Sequence, residues 1–580
     1  MLFYTLINDS GEVRFSPAPE VDKLLGNVTV LNLRLPLEVL WRNLEEIIHI
    51  KPSEIPTPLE ELKSRIVNRL KPALEKEGNL NIEEFEWDTP DTNDKITNEK
   101  CRLVLGNERL FTDFIARVQG RQLAEGELTS LRGSMHCDEQ TITVLMQKAV
   151  LTNHHVWVPA IRRIKGYWVC QRCGSIHCQE WTSIYGYAAT CQECKSIGPL
   201  NSLQVLFRCQ PLQNQNPQKV KHHTYPFDFS PSQKRAAEQL LELSQKDGVH
   251  EILVWAACGA GKTEVSFPAI RKYLSEGKRV LFAAPRQDVV HDVQLRLQRS
   301  FPDHMVKILS GAAAPDWEDS LLIVATTHQL LRFYRAFSLV VFDEMDAYPY
   351  AGNKILEFGL KQAIREDGRL IYLTATPSEE LLKKFGQEDF PVIRLPLRYH
   401  GRPVPIPEWI EVNFPDKNLK NLELSDKPYF ITLSKVLREL AQDGPLLVFV
   451  PTISLVPIWT EILKKVFSNK RVEGSWSSDP HRRTKVSSFL KGSCDVFICT
   501  SILERGITVN KVQVAVLFAH HEQYDIRSLV QMAGRTGRTS ENPTGRAVFF
   551  APRKTREMIR AIDWIREQNS IAKGGSFHEE

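Results

Sequence analysis

Four short runs carry residue types and spacings that could do chemistry. In "AACGAGKTE", Ala256–Glu264, Gly259 and Gly261 let the backbone wrap a phosphate with its N–H groups. Lys262 would reach the β and γ phosphates of a nucleotide, and the Thr263 hydroxyl would ligate Mg²⁺. A strict phosphate loop has glycine where Ala256 stands. The variant AxxGxGKT is satisfied, and the expected nucleotide set is Ala256, Gly259, Ala260, Gly261, Lys262, Thr263 and Glu264. An apolar strand before it and a helix after it set this run apart from a chance glycine-rich turn.

The second run, "VVFDEMDAYPY", turns an apolar strand suddenly into three carboxylates, Asp343, Glu344 and Asp346. Alone it could be a solvated loop. Paired with an upstream phosphate loop, it reads as a site for water attack. Asp343 would hold Mg²⁺ through its water shell, and Glu344 would orient and deprotonate the water. Asp346 fits a polar network to a neighbouring lobe better than a nucleotide contact. The third run, "QMAGRTGR", holds Gln531, Arg535 and Arg538 beside two glycines that permit close backbone approach. Arg538 would be the arginine finger, worth about 10³–10⁵ in rate, with Arg535 and Gln531 assisting.

The fourth run is cysteine-rich. Cys170, Cys173, Cys191 and Cys194 form two CxxC pairs seventeen residues apart. That spacing fits a structural tetrahedral Zn²⁺ site with four thiolates and no open position. Two redox pairs or plain core cysteines are the alternatives, and His177 or Cys178 could replace a ligand. Residues 151–225 hold eight Lys/Arg against two Asp/Glu, interspersed with Trp157, Tyr167, Trp168, Trp181, Tyr185 and Tyr187. Charge with aromatics suits single-stranded nucleic acid, and the same aromatics suit a small core.

The elements that must position these runs are legible in outline. From about residue 226, short apolar runs alternate with amphipathic helices: "EILVWAA", "RVLFAAP", "LLIVATT", "LVVFDE" and "RLIYLTAT". After the proline-rich "RLPLRYHGRPVPIPEW" come "PLLVFVPT", "CDVFICTS" and "VQVAVLFA". Such patterning predicts two α/β domains with parallel sheets covered on both faces. The expected division is an N-terminal α+β region over 1–150 of unstated role, a Cys₄ zinc module over 151–225, and parallel-sheet α/β domains over 226–395 and 396–580. "LEVLWRNLEEIIHI" has helical spacing, "EWDTPDTNDKITNEK" is a turn-rich break, and "NQNPQKVKHHTYP" reads as a linker.

Composition sets bounds. The 580 residues allow three to four domains, about one per 150 residues. The net charge of +4 divides into −7 over residues 1–150 and +11 beyond, which points the body of the chain at a polyanion. No signal peptide is apparent in "MLFYTLINDSGEV", and no apolar run approaches the ~18 residues of a spanning helix. A cytoplasmic protein with reduced cysteines is expected.

Over about residues 226–552 the chain resembles the superfamily 2 helicases. "FDFSPSQKRAA", "AAPRQ", "TTHQLLRF", "TATPS" and "TSILERGITV" follow in that family's order. The resemblance implies that the domains over 226–395 and 396–580 are RecA-like, with Gln233 as adenine reader, Arg286, Thr326 and Thr500 as contacts to backbone phosphates, and Asp346, Thr374 and Thr376 in lobe coupling. A Cys₄ module ahead of the phosphate loop, with "GAGKTE", "DEMDAYPY" and "QMAGRTGRT", is similar to the ComFA family of bacterial competence. That likeness implies an ATP-driven, Mg²⁺-dependent single-stranded-DNA translocase importing transforming DNA. It also implies ComFC, ComFB, DprA and the ComEC channel as partners, with peripheral association at the inner face of the cell membrane. The primosomal helicase PriA is the alternative, but its cysteines lie between the lobes, where this chain has none after "TATPS" and before "LLVFVPT". A non-hydrolysing nucleic-acid scaffold is the alternative of another class, and Lys262, Glu344 and Arg538 together speak against it.

Overall fold

The computed structural model describes residues 1–48, 59–77, 85–87, 96–152, 155–211, 224–311, 317–346, 349–350, 352–386, 389–414, 428–504 and 509–572. Most of the linker-like run and part of the turn-rich break named above lie outside the described residues.

The first lobe is built on a seven-stranded parallel sheet. Its order is Val306–Leu309, Leu322–Thr326, Val280–Ala284, Phe337–Asp343, Ile364–Thr374, Glu251–Ala256, Val392–Leu395. The five apolar runs expected here are all strands. Their residues are buried on both faces, which is why they read as continuous apolar segments rather than alternating ones. The two edge strands, Val306–Leu309 and Val392–Leu395, are short and carry Lys307 and Arg394, so they gave no comparable signal.

The second lobe has six parallel strands in the order Glu408–Glu411, Ala547–Ala551, Gln513–Val516, Leu446–Phe449, Val496–Cys499, Val472–Ser475. Register places the chemistry. Trp255 pairs with Thr374, and Asp343 with Leu373, so the phosphate loop, the carboxylates and "TATPS" all leave the carboxyl edge of one sheet. That edge is where open parallel sheets bind ligands.

Ahead of the lobes, Val13–Ser16, Phe3–Asn8 and Val28–Leu35 form an antiparallel sheet packed with helices. The helical spacing from Leu37 gives the helix Leu37–Ile48. A second antiparallel sheet joins Gln122–Ala124, Val205–Cys209 and His155–Pro159, so residues on either side of position 150 build one sheet. Phe3, Trp157 and Phe207 meet in its core. This region sits directly on the first lobe. Gln122 Nε2 donates to the Leu331 carbonyl at 2.8 Å, and Arg279 Nη1 to that of Gln119 at 2.8 Å. At Gly120, with φ +73°, a Cβ would lie 2.7 Å from that of Ala336, so only glycine permits the approach.

Candidate functional site

A cavity of about 700 Å³ lies between the two lobes. From the first lobe it takes Gln233, Gly259, Ala260, Gly261, Lys262, Thr263, Glu264, Asp343 and Glu344; from the second, Gln531, Arg535 and Arg538. These residues are up to 305 positions apart, and folding brings them to one wall-to-wall cleft.

Locally, the strand Glu251–Ala256 ends and the chain turns through Gly259 and Gly261, at φ +81° and +75°. Only glycine takes these values without strain. Ala256 itself stays in the sheet, fully buried, and does not line the cavity; Ala257 does. Lys262 Nζ lies 2.5 Å from Asp343 Oδ1. Burial alone would push the Lys262 ammonium down. Asp343, Glu344 and Asp346 outweigh it and hold it above its ordinary value. Burial pushes the Asp343 carboxyl up despite Lys262. Glu344 is a non-glycine residue at φ +56°, with its N–H bonded to the Leu373 carbonyl at 3.0 Å. Strained backbone of this kind costs about 1–3 kcal/mol and clusters at working sites.

Gln233 is engaged on both sides of its amide. Oε1 accepts from the Ser230 N–H at 2.9 Å, and Nε2 donates to the Ala260 carbonyl at 2.9 Å. It therefore joins the helix N-terminus at Ser230 to the phosphate loop. Asp346 accepts from Thr374 Oγ1 at 2.8 Å and Thr376 Oγ1 at 2.7 Å, and its carbonyl accepts from Arg527 of the second lobe at 3.3 Å.

A second groove, of about 980 Å³, holds Arg286, Asp346, Thr500, Tyr524 and Arg527. Arg286 does not stand open there. Its Nη2 is 2.9 Å from Glu504 Oε1, and the Glu504 carbonyl accepts from Arg535 Nε at 2.9 Å. Thr326 is buried at its strand end and lines neither cavity.

Sequence reasoning did not single out several residues in or behind this cleft, among them Arg296, Tyr399 and Arg398. Arg296 lines it and pairs with Glu264 at 2.9 Å. Tyr399 lines it from the proline-rich segment. Arg398 lies behind it, fully buried, and touches both loops. No short-range pattern marks these positions.

The four cysteines converge. Their sulfur atoms all lie within 4.8 Å of one another, with Cys170–Cys194 at 3.7 Å and Cys173–Cys191 at 3.6 Å. Thiolates about 2.3 Å from a tetrahedral Zn²⁺ are about 3.8 Å apart, so the donor set fits that ion. Arg172 Nε donates to Cys194 Sγ at 3.3 Å. His177 instead meets Glu193 at 3.0 Å, and Cys178 stands outside the four-sulfur group. The aromatics divide. Trp157 and Trp168 are core, while Tyr167, Trp181 and Tyr187 are 66%, 39% and 56% exposed.

Two parallel-sheet lobes sharing a phosphate loop, a carboxylate pair and an arginine loop define an ATP-hydrolysing helicase or translocase of superfamily 2. Residues 226–379 match the family "Type III restriction enzyme, res subunit", and residues 429–540 match "Helicase conserved C-terminal domain". Competence protein ComFA of Bacillus subtilis is 34% identical over 70% of this chain and 86% of that protein. Its counterpart in Streptococcus pneumoniae is 35% identical over 72% of this chain and 93% of that protein. The chain belongs to the ComFA family. Among solved structures, S. cerevisiae Dbp5 bound to RNA and ADP BeF3 is 17% identical over 59% of this chain and 91% of that one, with a TM-score of 0.43. Among the described residues, no helix is long and apolar enough to cross a membrane.

Proposed function

We propose that this protein is an ATP-driven single-stranded-DNA translocase that draws transforming DNA inward during natural competence. The carrying observation is that Lys262 and Arg538, from different lobes, line one cavity. Glu344 is the base for the attacking water, and Arg538 neutralises charge on the departing γ-phosphate, with Arg535 and Gln531 alongside. Thr263 and Asp343 are hard oxygen donors suited to Mg²⁺. That ion would supply charge neutralisation at the phosphates. Lys262 then turns from Asp343 to the phosphate oxygens.

Hydrolysis removes the γ-phosphate that draws the two lobes together, so cycling becomes movement. The Arg286–Glu504–Arg535 chain links groove to cleft, the Arg527–Asp346–Thr374 chain joins the two lobes beside it, and both carry that change. The strand runs through the groove past Thr500. Cys170, Cys173, Cys191 and Cys194 hold a structural Zn²⁺. The chain divides into an N-terminal region joined by a shared sheet across position 150 to a zinc module, followed by lobes from 226 and 396. The DNA-uptake machinery, with ComFC, ComFB, DprA and the ComEC channel, supplies the partners at the cytoplasmic face of the membrane.

The test is ATPase rate with and without single-stranded DNA, joined to streptavidin displacement from 5′- and 3′-biotinylated strands. Strong stimulation and directional displacement are expected. ATP turnover indifferent to DNA would overturn the translocase reading.

A further inference from the structure

Three consecutive residues of the segment that links the lobes reach the loops of the nucleotide cleft, and the first two touch both halves. Arg398 Nε donates to the Cys258 carbonyl of the phosphate loop at 3.1 Å. Its Nη2 donates to the Gly534 carbonyl at 3.3 Å, and its Nη1 to those of Thr536, at 2.6 Å, and Gly537. The Tyr399 N–H reaches the Gly259 carbonyl at 3.5 Å, and its hydroxyl accepts from the Ser540 N–H at 3.0 Å. His400 Nε2 lies 3.1 Å from the Gly537 carbonyl.

A guanidinium that is fully buried, with carbonyls rather than a carboxylate as acceptors, is an unusual expense. Burial and neighbouring Arg538 push its pKa down to about 10, which still leaves it charged at neutral pH. The carbonyls offset the cost. Gly534 caps the C-terminus of the helix Ile526–Ala533, where the dipole favours a cation. The same Gly534 carbonyl accepts from Arg538 Nε at 2.9 Å, so the two arginines share an anchor. The arginine loop packs tightly where it meets this strap: a Cβ on Gly537, at φ +60°, would lie 2.5 Å from the Pro543 carbonyl oxygen and 3.0 Å from Arg398 Nη1.

We propose that Arg398 is a positioning residue for hydrolysis: it ties the arginine loop to the phosphate loop and so aims Arg538 at the γ-phosphate. The assignment rests on Arg538 being the finger. It makes the linker part of the catalytic geometry, because the lobes cannot part without the Arg398 fork releasing one loop or the other. Arginine is required there, since lysine has no planar fork to span four carbonyls on two loops.

The test is a double-mutant cycle in the full-length protein, read as DNA-stimulated ATPase. R398A should lower kcat by about 10²-fold, the scale of a misplaced catalytic group, with KM little changed. R398K should fall between R398A and the unaltered protein. R398A/R538A should be no slower than R538A alone, because one residue acts through the other. If R398A lowers the melting temperature enough to unfold the chain at assay temperature, the cycle is run with R398K. Multiplicative losses in the double variant, an unchanged kcat in R398A, or a loss confined to KM would overturn the assignment. A fully active R538A alongside a defective R398A would overturn the finger reading and the assignment with it.

Discussion

Lys262 Nζ and Asp343 Oδ1 stand 2.5 Å apart at the floor of the cleft. On the mechanism proposed above, the pair stands in for two other contacts, cation to phosphate and carboxylate to metal. Removing one member leaves the other buried without its main counter-charge. Lys262→Ala should therefore cost about 10²–10³-fold or more in DNA-stimulated ATPase. Retained turnover in a phosphate-release assay would show that the phosphates sit elsewhere.

Glu344→Gln keeps the shape and the hydrogen-bonding reach but removes the base. Turnover should fall about 10²–10⁴-fold while nucleotide affinity stays. The variant should trap an ATP-bound closed form on DNA. Loss of nucleotide binding in a fluorescent-ATP titration would contradict a role confined to the water.

Cys170→Ser leaves three thiolates around a site that closes with four. Zinc content by plasma mass spectrometry should drop from about one ion per chain towards none, because structural sites of this kind are four-coordinate. The module and its neighbours should also unfold at lower temperature, as metal binding there is folding energy. Unchanged metal content would refute the ligand set.

Arg286 carries the sharpest question about the groove. Affinity for single-stranded DNA should weaken steeply with salt, with a slope of about −0.7 per phosphate neutralised. Arg286→Ala should flatten that slope by one such step if Arg286 leaves Glu504 for the strand. An unchanged slope with lost ATPase stimulation would instead assign it to joining the lobes.

Asp22 gives a pH prediction far from the cleft. Burial raises its carboxyl from 3.8 to about 6, against hydrogen bonds from Ser16 and Gln147 and the charge of Arg14. The native state then holds this proton more tightly than the unfolded chain does. Its contribution to stability is full below pH 3.8 and is lost as pH rises through 6, about 3 kcal/mol in all. Asp22→Asn lacks this term, so its stability relative to the unaltered protein should rise across that window in urea titrations. A pH-independent difference would mean the carboxyl titrates normally.

Much of the site was legible because its chemistry is local. A phosphate loop needs glycines at fixed offsets, and Asp343 and Glu344 need only the end of a buried strand. Two CxxC knuckles announce four sulfurs, and the structure brings all four within 4.8 Å. The strands were equally plain wherever both faces are buried. Edge strands such as Val392–Leu395 were not, because one side lacks a neighbour and the apolar run shortens.

The order of motifs by itself determined a two-lobed motor and many of the groups that line the cleft between its lobes. Spatial partners separated by hundreds of residues belong to another kind of information. Arg398 lies in a proline-rich stretch with no motif, yet it bonds Cys258 and Thr536, 140 and 138 positions away. Arg286 looks like a free cation in sequence and is held by Glu504, 218 positions on. Those pairings depend on how two sheets and the segment between them pack. That packing is the sum of many weak apolar contacts spread along the chain, and no short window of residues contains it.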